Sequence, residues 1–212
     1  MASHPVPDET YWNTNVARHP GILREVPQGC AQALDVGCGD GLLVAKLAGK
    51  AGRVTGVDTS PEMIARARER TGGSRDIVLL EGDFLAADLP REGFDFICSV
   101  STIHHMDFEA GLVRMRELLR PGGRLVVVGL ARDVTLADWL VRIPGLAVVW
   151  LIKKVRRAAG PPGMPAADVQ MGYGQVRRKA RRLLPGSRYR RHLLRRYSVI
   201  WEKPGRTPEY GG

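Results

Sequence analysis

Residues Ala33-Leu34-Asp35-Val36-Gly37-Cys38-Gly39-Asp40-Gly41 form an apolar strand that runs into three glycines spaced two apart, followed by a helix-like segment from Leu42 to Lys50. Glycines at such a turn let the chain reverse tightly and let a ligand approach where a Cβ would collide. A glycine pattern alone also suits a dinucleotide loop, but a fingerprint starting at Gly37 would need its third glycine at position 42, which is Leu42. Asp35, just ahead of the first glycine, is a second distinguishing mark.

A second acid follows at a telling distance. Arg53-Val54-Thr55-Gly56-Val57-Asp58 reads as a buried strand ending in a carboxylate, where a doubly wound sheet presents an acid to the ribose hydroxyls of a bound nucleoside. The alternative for Asp58 is a helix cap, but Ser60 and Pro61 already supply a cap and a first helical residue for Glu62 to Arg70. Strand-like runs at 32–36, 53–58, 77–81, 94–100 and 124–130 alternate with helical patterns. That alternation predicts a parallel sheet with right-handed crossovers, and the loops after the strands gather at one edge. Tyr197 to Trp201 is rich in β-formers, and Arg188 to Leu194 before it is a hairpin partner.

Five motifs together resemble the class I S-adenosylmethionine-dependent methyltransferases, in their small-molecule (type 11-like) branch. They are Leu34 to Gly41, Gly56 to Met63, Glu81-Gly82-Asp83-Phe84, Phe94 to Val100, and Leu119-Arg120-Pro121-Gly122-Gly123. The resemblance covers about residues 31–131 and returns near the C-terminus. It implies a Rossmann-like, doubly wound α/β sheet of seven strands, mostly parallel, with a terminal antiparallel hairpin and helices on both faces. It also implies S-adenosylmethionine as the cofactor and S-adenosylhomocysteine as its product. The expected cofactor-binding set is Tyr11, Asp35, Gly37, Cys38, Gly39, Asp58, Thr59, Met63, Gly82, Asp83, Phe84 and Ser99. By resemblance, Asp35 and the glycine loop hold the methionine part, Asp83 takes the adenine amine and Phe84 flanks the ring. On the residues alone, Phe84 also reads as a core plug, Asp83 as a turn residue and Met63 as a core methionine.

The fourth strand leads into Ser99-Val100-Ser101-Thr102-Ile103-His104-His105-Met106, where acceptor chemistry is expected to begin. An imidazole removes protons near neutral pH, so His104 is the first candidate for a general base, with His105 beside it. Transfer by proximity and orientation, with no protein base, stays open. The resemblance further suggests that the segment before the first strand folds over the cofactor, which makes Tyr11 and His19 site candidates. Surface packing explains Tyr11 and Trp12 equally well. The Asn/Asp-Pro-Pro-aromatic signature of base-amine methylases is absent after the fourth strand, which lowers DNA base methylation.

A length of 212 residues at 44% hydrophobic suits one catalytic domain. Its parts are expected to be a lead-in over residues 1–30, a cofactor core over 31–131, a lid over 132–187 and a hairpin over 188–203. The start lacks the features of a signal peptide and no apolar run approaches a spanning length, so the expected location is cytoplasmic. Cys30, Cys38 and Cys98 are read as reduced thiols, with no metal site.

Charge is unevenly placed. Residues 151–203 hold 15 Lys and Arg against 2 Asp and Glu, whereas residues 1–150 hold 16 against 19. A basic block of this kind meets nucleic acid, an anionic membrane surface or an acidic substrate, or is simply a solvated face. Trp139-Leu140-Val141 and Leu146 to Ile152, followed by Lys153, Lys154, Arg156 and Arg157, read as a buried lid helix or an interfacial contact. Gly160 to Pro165 reads as a hinge. The expected activity is methyl transfer to an oxygen or nitrogen of a small hydrophobic molecule. The alternatives are an RNA-binding methyltransferase using the basic segment and a noncatalytic cofactor-binding module. The sequence names neither the acceptor nor an oligomeric state.

Overall fold

The computed structural model describes residues 13–132, 169–192 and 195–205. Seven strands, β1 (Gln32–Val36), β2 (Arg53–Asp58), β3 (Ile77–Glu81), β4 (Phe94–Val100), β5 (Leu119–Leu130), β6 (Arg188–His192) and β7 (Arg196–Glu202), form one sheet. Its order is β3-β2-β1-β4-β5-β7-β6. The pairs among the first five strands are parallel, and β7 runs antiparallel to both β5 and β6. The expected fold class therefore holds, terminal hairpin included. Order reverses between β1 and β4, and a crevice opens outside the carboxyl ends of strands at such a switch point.

Helices α1 (His19–Arg24), α2 (Leu42–Leu47), α3 (Pro61–Thr71), α4 (Phe108–Leu118) and α5 (Tyr173–Leu183) cover the sheet. Strand residues alternate between two buried layers, as a period of two requires. Ala33, Val54, Phe96 and Cys98 pack with Leu43 and Leu47 of α2 and Ile64 of α3. Leu34, Val36, Val57 and Ile97 pack with Leu112 and Met115 of α4 and Val176 and Ala180 of α5. Thus α5, whose sequence lies within the segment expected as a lid, closes the second face of the sheet. Residues 133–168, which carry the tryptophan-ended apolar run and the expected hinge, lie outside the described residues, as do Tyr11 and Trp12.

The α3 boundary follows its sequence signal. Ser60 caps the helix, its Oγ accepting from the Met63 amide at 3.3 Å, and Pro61 occupies the first turn. Strand β5 begins earlier than its apolar run, because Leu119-Arg120-Pro121-Gly122-Gly123 bulges out: Phe94 pairs with Leu119, but Phe96 pairs with Arg124. Between these points Asp95 holds the sheet's amino edge. Its carboxylate accepts from the Ala31 and Gln32 amides at 2.9 and 2.8 Å and from the Arg120 guanidinium at 2.7 Å.

Burial pushes the Asp95 carboxyl upward, but the Arg120 contact and the two amides outweigh it and hold the group below its ordinary range. A carboxyl depressed by folding stabilises the fold above its ordinary pKa, and that contribution is lost as pH falls. Asp95→Ala is expected to lower the unfolding free energy at neutral pH by about 1–3 kcal/mol. Urea denaturation checks this, and the gap between variant and wild type should narrow on acidification.

Candidate active site

At the carboxyl edge of the sheet lies a cavity of about 600 Å³, walled by residues that follow β1, β2, β3 and β4 and by the β5–β7 end. It is built on backbone geometry first. Gly37 turns out of β1 at φ 74°, and a Cβ there would stand 2.0 Å from the Thr102 hydroxyl. Only glycine fits between β1 and the strand exit of β4. The Gly37 and Cys38 amides donate to the Val57 carbonyl at 2.8 and 3.1 Å, which pins the loop to β2. Gly41, at φ 76°, leaves room for α3, since a Cβ would come within 2.8 Å of the Ala67 methyl.

One carboxylate joins the two loops that follow β1 and β2. Asp58 accepts from the Gly39 amide at 2.8 Å and from the Ser60 amide at 2.9 Å. Each oxygen keeps acceptor capacity, because a carboxylate has about four lone-pair sites. Nearby, Asp40 is buried against Arg70, which donates to its carboxylate at 2.8 Å and its carbonyl at 2.9 Å. After β3, the Asp83 carboxylate accepts from the Leu85 amide at 3.0 Å, so the expected turn role is real, yet the residue also walls the cavity. Phe84 and Met63 likewise serve twice, buried in the fold and lining the cavity.

Of the expected residues, Gly37, Gly39, Asp58, Thr59, Met63, Gly82, Asp83, Phe84, His104 and His105 meet at this cavity. Four do not line it. Asp35 is 2% exposed, on the same face of the sheet as its strand neighbour Cys98, whose thiol donates to it at 3.4 Å. Burial pushes its carboxyl up to about 7. Cys38 turns into the apolar layer beside Gly56 and Val44. Ser99 is fully buried in β4, one residue short of the exit where Val100, Ser101 and Thr102 reach the cavity. His19 is buried at the head of α1.

Sequence reading missed Asn15, Ser101 and Arg196, which form one chain of contacts on the far wall. Arg196 opens β7, is 7% exposed, and donates to the Ser101 hydroxyl at 2.5 Å and the Thr14 hydroxyl at 2.8 Å. Ser101 in turn donates to Asn15 at 2.8 Å. Ser101 itself sits at φ 56°, an uncommon conformation for a residue with a side chain. His104 stands beside His105, with ring centroids 4.4 Å apart. Burial, then His105, then Arg196, push its imidazole down to about 4.

A group of three potential metal ligands is absent among the described residues, and none of the described helices is long and apolar enough to cross a membrane. A methyltransferase-domain family model matches residues 34–127. The uncharacterized methyltransferase Rv0089 of Mycobacterium tuberculosis is 34% identical over 197 residues, covering 91% of this chain and 98% of that protein. A ubiquinone biosynthesis O-methyltransferase of Xylella fastidiosa is 36% identical over 139 residues, covering 64% of this chain and 55% of its own. The N-methyltransferase NodS of Bradyrhizobium japonicum, solved in complex with S-adenosylhomocysteine, superposes with a TM-score of 0.64 at 21% identity, over 95% of this chain and 94% of that one.

A neutral His104 predicts its own titration. Its folded pKa lies below the unfolded one, so the unfolded chain takes the proton first and stability falls as pH drops from about 6.5 towards 4. An NMR titration of the imidazole resonances is expected to give a His104 midpoint near 4, and a midpoint near 6.5 would place that ring in open solvent instead.

Proposed function

Because the chain belongs to the S-adenosylmethionine-dependent methyltransferases, a conclusion carried by its relatives across nearly its whole length, we propose how its own residues perform that activity. The enzyme moves a methyl group from S-adenosylmethionine to a small molecule. Bound in the cavity, the cofactor supplies an electrophilic methyl group carried on a sulfonium sulfur.

The donor set suits such a molecule. Asp58, held by two backbone amides, directs its remaining lone pairs at the ribose hydroxyls. Asp83 accepts from the adenine amine, and Phe84 and Met63 pack on the ring. Gly37 and Gly39 leave space for the amino-acid part, and Thr59 and Gly82 complete the adenosine side. Asp35 and Cys38 act one step back, by fixing the strand and loop from inside the sheet. The single observation that carries this reading is the convergence of Gly37, Asp58, Asp83 and Phe84 on one cavity from three successive strand ends.

The acceptor side is apolar. Val100, Met106, Leu130 and Val169 line it, which suits a small hydrophobic acceptor, as does the likeness to an enzyme named for ubiquinone biosynthesis. His104, neutral at physiological pH, holds a lone pair able to receive the proton that an attacking hydroxyl or amine releases. Its lowered pKa makes it a weak base, so orientation against the acceptor is the larger part of its work. His105 packs beside that ring, with centroids 4.4 Å apart, and Tyr11 and His19 belong to the lead-in expected to cover the site.

We read residues 1–212 as one domain with the lead-in, core, lid and hairpin set out above, since the hairpin completes the same sheet as the core. The cytoplasm is its proposed location, in keeping with three buried free cysteines. The basic surface reads as a solvated face, and part of it is neutralised internally, with Lys179 and Arg182 of α5 pairing with Glu109 of α4. The names of the relatives described above lend RNA binding no support.

Asp58→Ala is expected to weaken S-adenosylhomocysteine binding by roughly 1.5–3 kcal/mol, because it removes a charge-assisted hydrogen bond to the ribose, and calorimetry reads the change. Unchanged affinity would remove the ribose role. In an acceptor screen, His104→Ala is expected to lower turnover at saturating acceptor while cofactor affinity stays near that of the wild type. Turnover equal to the wild type would show that the imidazole is dispensable.

A further inference from the structure

Arg196 is a buried cation that meets no anion among the described residues. Among the described residues no carboxylate meets it: its two terminal nitrogens donate to the Ser101 and Thr14 hydroxyls, and its Nε is buried without a partner. Neutral hydroxyls solvate a guanidinium but do not neutralise it, and a charge removed from water is costly unless an opposite charge accompanies it. Nearby groups worsen the imbalance. Burial and then Arg18 push the Arg196 guanidinium down to about 10, Arg18 itself is half-buried and lowered, and His104 is depressed in part by Arg196.

The cavity is thus electrostatically two-sided. Its acids are Asp58, which ends β2, and Asp83, which follows β3, whereas Arg196 opens β7, next to Leu130 at the end of β5. In the order β2-β1-β4-β5-β7, at about 4.8 Å between neighbours, those strands stand roughly 19 Å apart across the sheet. The acidic end is the one assigned above to adenosine, and the cationic end adjoins the apolar patch of Leu130 and Val169. The geometry is held firmly: Ser101, in its left-handed conformation, is fixed by its own amide donating to the Val128 carbonyl at 2.7 Å.

Resting on the methyltransferase reading, we infer that the acceptor carries an anionic oxygen group, a carboxylate or a phosphate, and that Arg196 is the residue that receives it at the far wall of the cavity. Arg196 keeps N–H donors beyond the two committed to Ser101 and Thr14, and a planar fork suits either anion. The anion would complete the charge balance that the described residues leave open. It would also select against uncharged molecules of the same shape, because those leave the guanidinium buried and unpaired.

The test uses the full chain saturated with S-adenosylhomocysteine, titrated by calorimetry with octanoate, octyl phosphate and the uncharged octanamide. The expected result is that at least one anion binds about tenfold or more tightly than the amide. The better of the two anions names the source. Arg196→Gln should abolish that preference and leave S-adenosylhomocysteine affinity within about twofold. Arg196→Lys, which keeps the charge but not the fork and so puts less of the fold at risk, should retain part of it. Equal binding of acid and amide, no saturable binding of either anion at millimolar concentration, or a preference that persists in Arg196→Gln would overturn the inference. A loss of S-adenosylhomocysteine affinity in Arg196→Gln would also overturn it, by assigning the guanidinium to the cofactor's own carboxylate. If the wild-type chain binds no S-adenosylhomocysteine, the methyltransferase reading fails first, and this inference with it.

Discussion

Asp58 accepts one hydrogen bond from the loop after β1 and one from the turn that starts α3, and much of the site hangs on that pair of contacts. The three glycines of the loop after β1 have no side chains with which to hold its shape. It is fixed by amides, through Val57 on one side and Asp58 on the other, so the strand that ends in the acid also templates the loop beside it. The same acid therefore shapes the cavity and presents charge to it. Removing Asp58 disturbs both, which is why a binding readout is more informative here than a stability readout.

The core was largely legible because its central strands are short apolar runs buried on both faces, with glycine-rich or acidic exits. Runs at 32–36, 53–58, 77–81 and 94–100 coincide with β1 to β4, and the Ser60–Pro61 signal correctly opened α3. The start of β5 was not legible. Leu119 to Gly123 reads as a turn, and it is indeed a bulge, but Leu119 resumes pairing with Phe94 before it, a long-range contact that no local pattern carries. The hairpin lay close to its expected place, Arg188–His192 against Arg196–Glu202.

The site was legible where motif and cavity coincide, and less so where chemistry depends on direction. Asp35, Cys38 and Ser99 belong to the right segments, yet each is buried and none lines the cavity. Ser99 lies within β4 and is fully buried, whereas Ser101 lies just past the strand's end, at φ 56°, where the chain leaves the sheet and lines the cavity. Arg196 was hidden for a different reason. In sequence it is one more arginine in a basic block, and only its position at the start of a strand flanked on both sides, β5 and β6, buries it. A basic run read by net charge looks uniformly solvated, whereas a strand through it sorts arginines into those that meet water and those that do not.

The central claim is that this cavity holds S-adenosylmethionine rather than another adenine cofactor. Calorimetry of the purified chain with S-adenosylmethionine, S-adenosylhomocysteine and NAD tests it most directly, since all three carry the adenosine that Asp58, Asp83 and Phe84 are assigned to bind. The account predicts saturable micromolar-range binding of the first two and none of the third. Binding of NAD, or failure of both sulfur compounds to bind a folded sample, would contradict it.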